Sequence, residues 1–161
     1  MNSTNNIKLL LGGVAAGVVA DEYIEGRRIR NKLRKSEEDK KKLIEFYYIL
    51  IQWMRVHHEG RTLVNYFKNN NYKTVAIYGM KELGEALLSE LDGTDVEVKY
   101  GIDRDADNLY PGIDTYTPDE EIEEVDVIVV CAVHYFDQIE EDMKAKTRAK
   151  IVSLEDVVWE A

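Results

Sequence analysis

The fold class of this chain is decided by one stretch, TVAIYGMKELGEALLSEL, at residues 74–91. The part from Thr74 to Tyr78 is a short, β-branched apolar run, which is typical of a buried parallel strand. The loop from Gly79 to Gly84 follows directly, and Glu82 to Leu91 carries leucines at helical spacing. A strand, a glycine turn and a helix in this order predict a Rossmann-like α/β domain.

The residues after this unit repeat the alternation of strand and helix. Four further strands are expected at Val96–Ile102, Ile113–Tyr116, Val125–Val133 and Lys150–Val152, with helices after the last two. Strands that alternate with helices form parallel sheets with right-handed crossovers. The two most apolar strands, the first and the fourth, belong at the centre, so the expected strand order is 3-2-1-4-5.

The front of the chain predicts a helical region at residues 1–72, ahead of a Rossmann-like domain at residues 73–161. Ile7 to Ala20 is an apolar run of about 21 Å as a helix, shorter than a bilayer requires. Gly13 and Gly17 would let two helices approach closely. The run packs against a second copy, packs on its own domain, or contacts a membrane; its length favours the first two.

A second helix is expected from Ser36 to His58, with Ser36 as its N-cap and acidic residues in its first turn. Its apolar positions form two adjacent stripes: Leu43, Phe46, Tyr47, Leu50, Trp53, Met54 and His57, and beside them Ile44, Tyr48 and Ile51. A face this wide is hard to bury against one neighbour, so it predicts contact with the domain and with another helix. Thr62 is expected to cap a short helix after it.

Charge is divided unevenly along the chain. Residues 1–73 carry 14 Lys and Arg against 8 Asp and Glu, whereas residues 74–161 carry 7 against 23. The acidic half argues against nucleic-acid binding, which needs clustered cations. The basic cluster in residues 27–42 fits a solvated helix face, with an acidic partner or anionic lipid as the alternative. Cys131 is the single cysteine, typical of a buried residue in a reducing compartment, so a cytoplasmic location is expected.

The glycine loop departs from a dinucleotide fingerprint at its middle position. Gly79 and Gly84 fill the turn and packing positions, but Lys81 stands where a second glycine admits pyrophosphate. Glu82 adds a carboxylate that repels anions, although the N–H groups at the start of the helix favour them. The expected ligand, held by residues 79–84 including Met80 and Leu83, is therefore a nucleotide or nucleotide-sugar, and intact NAD is disfavoured.

Further site candidates follow the second and fourth strands. Asp103 ends the second strand, where an acidic residue binds ribose or simply forms a turn, and Arg104 next to it would favour a phosphorylated ribose. Val133 and His134 follow the fourth strand and border the same crevice. His134 is the one acid–base candidate there, without a second catalytic group or any metal-ligand spacing. No catalytic residue or metal site is therefore assigned.

The segment from Phe46 to Leu154 resembles a family of small bacterial proteins and C-terminal domains associated with surface-polysaccharide and glycosyltransferase gene clusters. The residues that carry the resemblance are Gln52-Trp53, Tyr66-Phe67, Tyr72-Lys73-Thr74, Ile77-Tyr78-Gly79-Met80, Glu82-Leu83-Gly84, Val98-Lys99-Tyr100, Ile102-Asp103, Val125-Asp126 and Ser153-Leu154-Glu155-Asp156. The loop also resembles the nucleotide-sugar-binding domains of sugar acyltransferases. The resemblance implies a Rossmann-like fold and a polysaccharide context, but the family's usual loop has Gly in place of Lys81.

These observations predict an accessory or sensor-type protein that binds a nucleotide or nucleotide-sugar weakly. An enzyme that depends on NAD(P) or a nucleotide-sugar, and a pure protein-interaction module, are the alternatives. The helical region predicts a homo-oligomer, and a further protein partner or a peripheral membrane contact remains an alternative role for it.

Overall fold

The computed structural model describes the main chain of residues 3–108 and 112–161, and side chains from residue 27 onward within these ranges. The chain divides into two compact units, residues 1–46 and residues 47–161. Helix α1 (Ser3–His58) forms the first unit and begins the second. The division expected at residue 73 stays a prediction.

Helix α1 corrects one expectation from the sequence. Ser36 does not begin a helix, because α1 continues through it. The charged residues from Arg27 to Lys35 include several good helix formers, and the stretch holds no proline, so nothing there stops the helix. The side chains of Ile7 to Ala20 lie outside the described ones, including the Gly13–Gly17 pair. As far as helices are described, none combines the length and apolar character that a bilayer span requires.

The second unit is built on a five-stranded parallel sheet in the order β3-β2-β1-β4-β5, which confirms the predicted α/β fold and strand order. Its strands are β1 (Thr74–Tyr78), β2 (Glu97–Ile102), β3 (Thr115–Tyr116), β4 (Val127–Val130) and β5 (Lys150–Ser153). The central strands β1 and β4 are the most deeply buried, as their apolar sequences require.

Four short helices connect and complete the sheet: α2 (Val64–Asn69), α3 (Glu82–Leu91), α4 (Phe136–Lys144) and α5 (Leu154–Glu160). Ser153 caps α5 by accepting a hydrogen bond from the Glu155 N–H at 3.2 Å. The prediction for Thr62 was wrong, because Leu63 is the N-cap of α2 and makes no side-chain capping bond. Two single 3₁₀ turns, Ala106–Asn108 and Val133–Tyr135, follow β2 and β4.

The sheet is covered on both faces. On one face, Ala76 and Tyr78 of β1 pack in a cluster with Ile139 and Met143 of α4. On the other, Ile77 lies against α3, since a Cβ atom added at Gly84 would lie 3.4 Å from its side chain. This alternation along β1 is what a central strand with helices on both sides requires.

Within the second unit, the last turns of α1 are fastened to α3 through Glu90. The Glu90 carboxylate accepts hydrogen bonds from the indole N–H of Trp53 and, at 2.7 Å, from the main-chain N–H of Leu63. Its second contact on α1 is His57, at 3.1 Å. Ile49, Trp53 and Val56 form the buried stripe of these turns, so only part of the wide apolar face predicted for this helix is used by the domain.

Candidate functional site

The turn from β1 to α3 depends on the two glycines that the sequence identified. Gly79 has φ +94°, and a Cβ atom there would lie 3.1 Å from the main-chain nitrogen of Ala132. At Gly84 a Cβ atom would lie 2.2 Å from the carbonyl oxygen of Gly79, closer than real atoms approach. Both residues must therefore be glycine for strand and helix to pack this closely.

The side chain of Met80, one of the predicted ligand contacts, lies inside the domain. Its side chain is fully buried, and it lies over Gly101 near the end of β2. A Cβ atom added at Gly101 would lie 2.6 Å from the Met80 Cγ atom. The Met80 side chain therefore fills the space that a side chain at position 101 would need. The second residue of the glycine loop is consequently part of the packing between β1 and β2.

Asp103 is tied to the same loop. The residue is 7% exposed, and its carboxylate accepts hydrogen bonds from the main-chain N–H of Met80 at 2.8 Å and of Asp105 at 3.0 Å. The two bonds use different carboxylate oxygens, so each oxygen already has a donor. Of the two roles that the sequence left open, turn former and ribose ligand, the structure provides direct contacts for the first.

The start of α3 is the accessible part of the loop. Lys81 is the N-cap in an extended conformation, its side chain makes no capping bond, and both it and Glu82 are exposed. The first hydrogen bond within the helix runs from the Glu85 N–H to the Lys81 carbonyl at 2.8 Å. The three earlier N–H groups, those of Glu82, Leu83 and Gly84, precede this bond and are suited to an anion, although the Leu83 side chain itself is buried.

The loop after β4 borders the glycine loop. The Cys131 N–H donates to the Tyr78 carbonyl at 2.8 Å, so the ends of β1 and β4 stay paired up to the turn. Val133 and His134 lie half-buried in the 3₁₀ turn that follows. The two strand ends are therefore close together, with Gly79 packed against Ala132, and a ligand crevice between them stays a prediction.

Cys131 was expected within a strand, but it lies just beyond the last residue of β4. It remains 4% exposed, and burial raises the pKa of its thiol far above the ordinary value. A thiol held in its protonated form is a poor nucleophile. Among the described residues, no group of three or more His, Cys, Asp or Glu side chains is arranged to hold a metal ion.

Arg104 lies in a different cleft, away from the other predicted site residues. It contributes to a cleft of about 690 Å³ beside α4, together with Tyr78, Thr117, Asp142 and Lys146. Burial raises the pKa of the Tyr78 hydroxyl, and a hydrogen bond from the Arg104 guanidinium opposes this shift. The sequence did not reveal this cleft, because its residues come from β1, from α4 and from the segments after β2 and β3, and only the sheet order brings them together.

The chain matches no protein-family model, and comparisons with curated proteins and with solved structures find no similar protein. The functional argument therefore depends on the geometry of the glycine loop, the strand ends beside it and the helices.

Proposed function

We propose that this protein is an accessory, non-catalytic Rossmann-like protein that binds a nucleotide or nucleotide-sugar through a phosphate group at the start of α3. The observation that carries the proposal is the uncapped N-terminus of α3, which directly follows the glycine turn at the carboxyl ends of the paired strands β1 and β4. Parallel α/β sheets bind ligands at this point, where the strand order reverses, and a helix N-terminus favours anions.

Lys81 supports a phosphate ligand. Its ammonium group is on an exposed side chain at the N-cap, next to the N–H groups of Glu82 and Leu83. An ammonium–phosphate hydrogen bond is stronger than one between neutral groups. The carboxylate of Glu82 and the acidic composition of residues 74–161 oppose anion binding, so we propose a weak and reversible interaction.

Two features argue against an enzyme that binds an intact dinucleotide. The Met80 N–H, which a pyrophosphate on the loop would approach, already donates to Asp103. A ribose that used Asp103 would compete with the bonds that hold the loop. The polysaccharide context enters this proposal from the resemblance alone, and it makes UDP-sugars the first ligands to test.

Calorimetric titration of the full chain with UDP, UDP-glucose, AMP and NAD tests the proposal. We expect UDP or UDP-glucose to bind more tightly than NAD, and Lys81→Glu to weaken that binding by roughly tenfold, since about 1.4 kcal/mol corresponds to a factor of ten. Lys150→Glu is the matched control, because it makes the same charge change in an exposed residue at the opposite end of the sheet.

The control variant should bind like the unmodified chain. If none of the four nucleotides binds, or if Lys81→Glu and Lys150→Glu weaken binding equally, the α3 N-terminus is not a phosphate site. A measurable turnover of UDP-glucose or NAD would instead support the enzyme alternative that uses Lys81 and His134.

A further inference from the structure

Among the side chains that the structure describes, most of the large apolar ones that are exposed lie on helix α1. In residues 27–108 and 112–161, eight of the ten large apolar side chains that are exposed belong to α1, and the other two are Tyr135 and Trp159. Six of the eight define a seam: Ile29, Leu33, Leu43, Tyr47, Leu50 and Met54, each between 46% and 69% exposed. The buried stripe of Ile49, Trp53 and Val56 shares no residue with this seam, and all six seam side chains are exposed.

The seam follows a heptad repeat. Its members and the two intervening positions, Ser36 and Lys40, alternate in steps of four and three residues from Ile29 to Met54. This spacing is the a/d pattern of a coiled coil, with Leu33, Lys40, Tyr47 and Met54 at a positions. A straight helix would drift by roughly 70° over this length relative to such a repeat, so the pattern fits a supercoiled helix better than a flat surface.

We propose that the seam is covered by the same seam of a second copy of this chain, in a parallel, two-stranded coiled coil from Ile29 to Met54. The charges beside the seam support this occupant. Lys32 is at a g position and Glu37 at the following e position, the two positions that face each other between parallel helices. Both are exposed, and a two-fold dimer makes this opposite-charge contact twice.

Lys40 supports two strands and a fixed register. A lysine at an a position lowers stability but specifies register and oligomeric state. The adjacent g residue, Asp39, flanks the a-position side chain of the second copy, so each Lys40 meets an opposite charge. An antiparallel pair that matches the same apolar residues would place Lys32 beside Trp53 and Asp39 beside Phe46, without an opposite charge for either.

Sedimentation analysis of two neighbouring variants tests whether the seam forms the contact. Tyr47 and Tyr48 are 59% and 61% exposed, but only Tyr47 lies in the seam. The unmodified chain should be a dimer. Tyr47→Glu should raise the dimer Kd by roughly a hundredfold, because it places a charge in a buried layer of each helix. Tyr48→Glu should leave the dimer intact.

A monomeric or higher-order unmodified chain would overturn the proposal, as would equal disruption by both variants. A chain that is monomeric in solution and sediments with vesicles containing anionic lipid would also overturn it, and would identify a membrane surface as the occupant. Nucleotide binding is a separate measurement, so the failure of one proposal does not imply the failure of the other.

Disulfide crosslinking tests the direction of the helices. Because Cys131 is buried, a cysteine introduced on α1 is the reactive thiol. Leu33→Cys should form a covalent dimer under mild oxidation, since equivalent a positions meet in a parallel pair. Asn31→Cys, which is exposed at an outward f position, should remain uncrosslinked. In the antiparallel alternative the two Leu33 positions are roughly 25 Å apart, so crosslinking of Leu33→Cys only to Leu50→Cys would overturn the proposal.

Discussion

At the end of β2, Asp103 is 7% exposed and its carboxylate accepts two main-chain hydrogen bonds, whereas Leu43 on α1 is 69% exposed. The sequence pattern around Asp103 indicates ligand binding, and the pattern around Leu43 indicates a hydrophobic core. In the structure the polar group holds the fold together and the apolar group faces outward. Functional sites in this chain are therefore better sought among exposed groups, Lys81 and the α1 seam, than in the motif as a whole.

Gly84→Ala should have the largest effect on the glycine loop. The added Cβ atom would lie 2.2 Å from the Gly79 carbonyl oxygen, which is main chain and cannot move without shifting β1. We expect a loss of about 3 kcal/mol or more in the free energy of unfolding, measured with urea. Gly93→Ala is the control, because it has open space but φ +69°, and should cost only about 1 kcal/mol. Equal losses would mean that the loop is not tightly packed.

The loss of stability should also differ strongly between a substitution in the buried stripe of α1 and one in its exposed seam. Ile49→Ala removes a side chain that is 2% exposed and should cost about 3 kcal/mol. Leu50→Ala, at 46% exposure, should cost less than about 0.5 kcal/mol in a monomeric chain. Both are compared by urea unfolding in the Tyr47→Glu background, which removes the proposed dimer. A large loss for Leu50→Ala would show that the seam is covered within one chain.

Asp103→Ala should lower the free energy of unfolding by about 2 kcal/mol, because it leaves the buried Met80 N–H without its acceptor. Asp107→Ala, an exposed substitution in the next turn, should change stability by less than about 0.5 kcal/mol. Thermal unfolding and nucleotide titration of the same samples separate the two roles of Asp103. If the Asp103→Ala variant keeps its stability but loses ligand binding, the carboxylate binds a ribose and does not stabilise the loop.

The smallest expected effect is at the opposite end of the sheet, at Asp126. Hydrogen bonds from the main-chain N–H groups of Lys73 and Thr74, at 2.7 Å and 2.8 Å, lower the pKa of this carboxyl group. A carboxyl group whose pKa is lower in the folded state than in the unfolded state stabilises the fold. This stabilisation is fully present at pH values above the pKa of the unfolded state. It is lost as the pH falls through the pKa of the folded state. Since the group is largely exposed, its contribution is at most about 1 kcal/mol. Asp126→Asn should reduce stability at pH 7 and flatten its decline below about pH 4; an unchanged acid profile would contradict this.

Much of the sheet could be predicted because its signals are local. The β-branched runs, the alternation with helices and the two glycines of the loop each act within a few residues. The predicted N-cap at Ser36 was wrong because a good cap residue only starts a helix where the preceding residues are not helical. The residues from Arg27 to Lys35 are helical in the structure, so Ser36 lies inside the helix and cannot be its N-cap.

The site could be predicted only in part, because its decisive contacts are long-range. The sequence identified Asp103 and Met80 but not the bond between them, which spans 23 residues. The contacts of Glu90 with Trp53 and Leu63 were missed entirely, since nothing near Glu90 in the sequence distinguishes it from a solvated helix residue. The cleft at Tyr78 and Arg104 was missed for the same reason.

The short edge strand β3 has a consequence for the behaviour of the protein at high concentration. Within the described part of the chain, β3 pairs with β2 at Gly101 and Ile102, and the first residues of β2 extend beyond it. Glu97 and Lys99 stand on that stretch and pair with each other at 2.7 Å. Charged side chains on a short sheet edge oppose the addition of a strand from another molecule. This edge is thereby protected against aggregation by strand pairing, even where two chains are held close together.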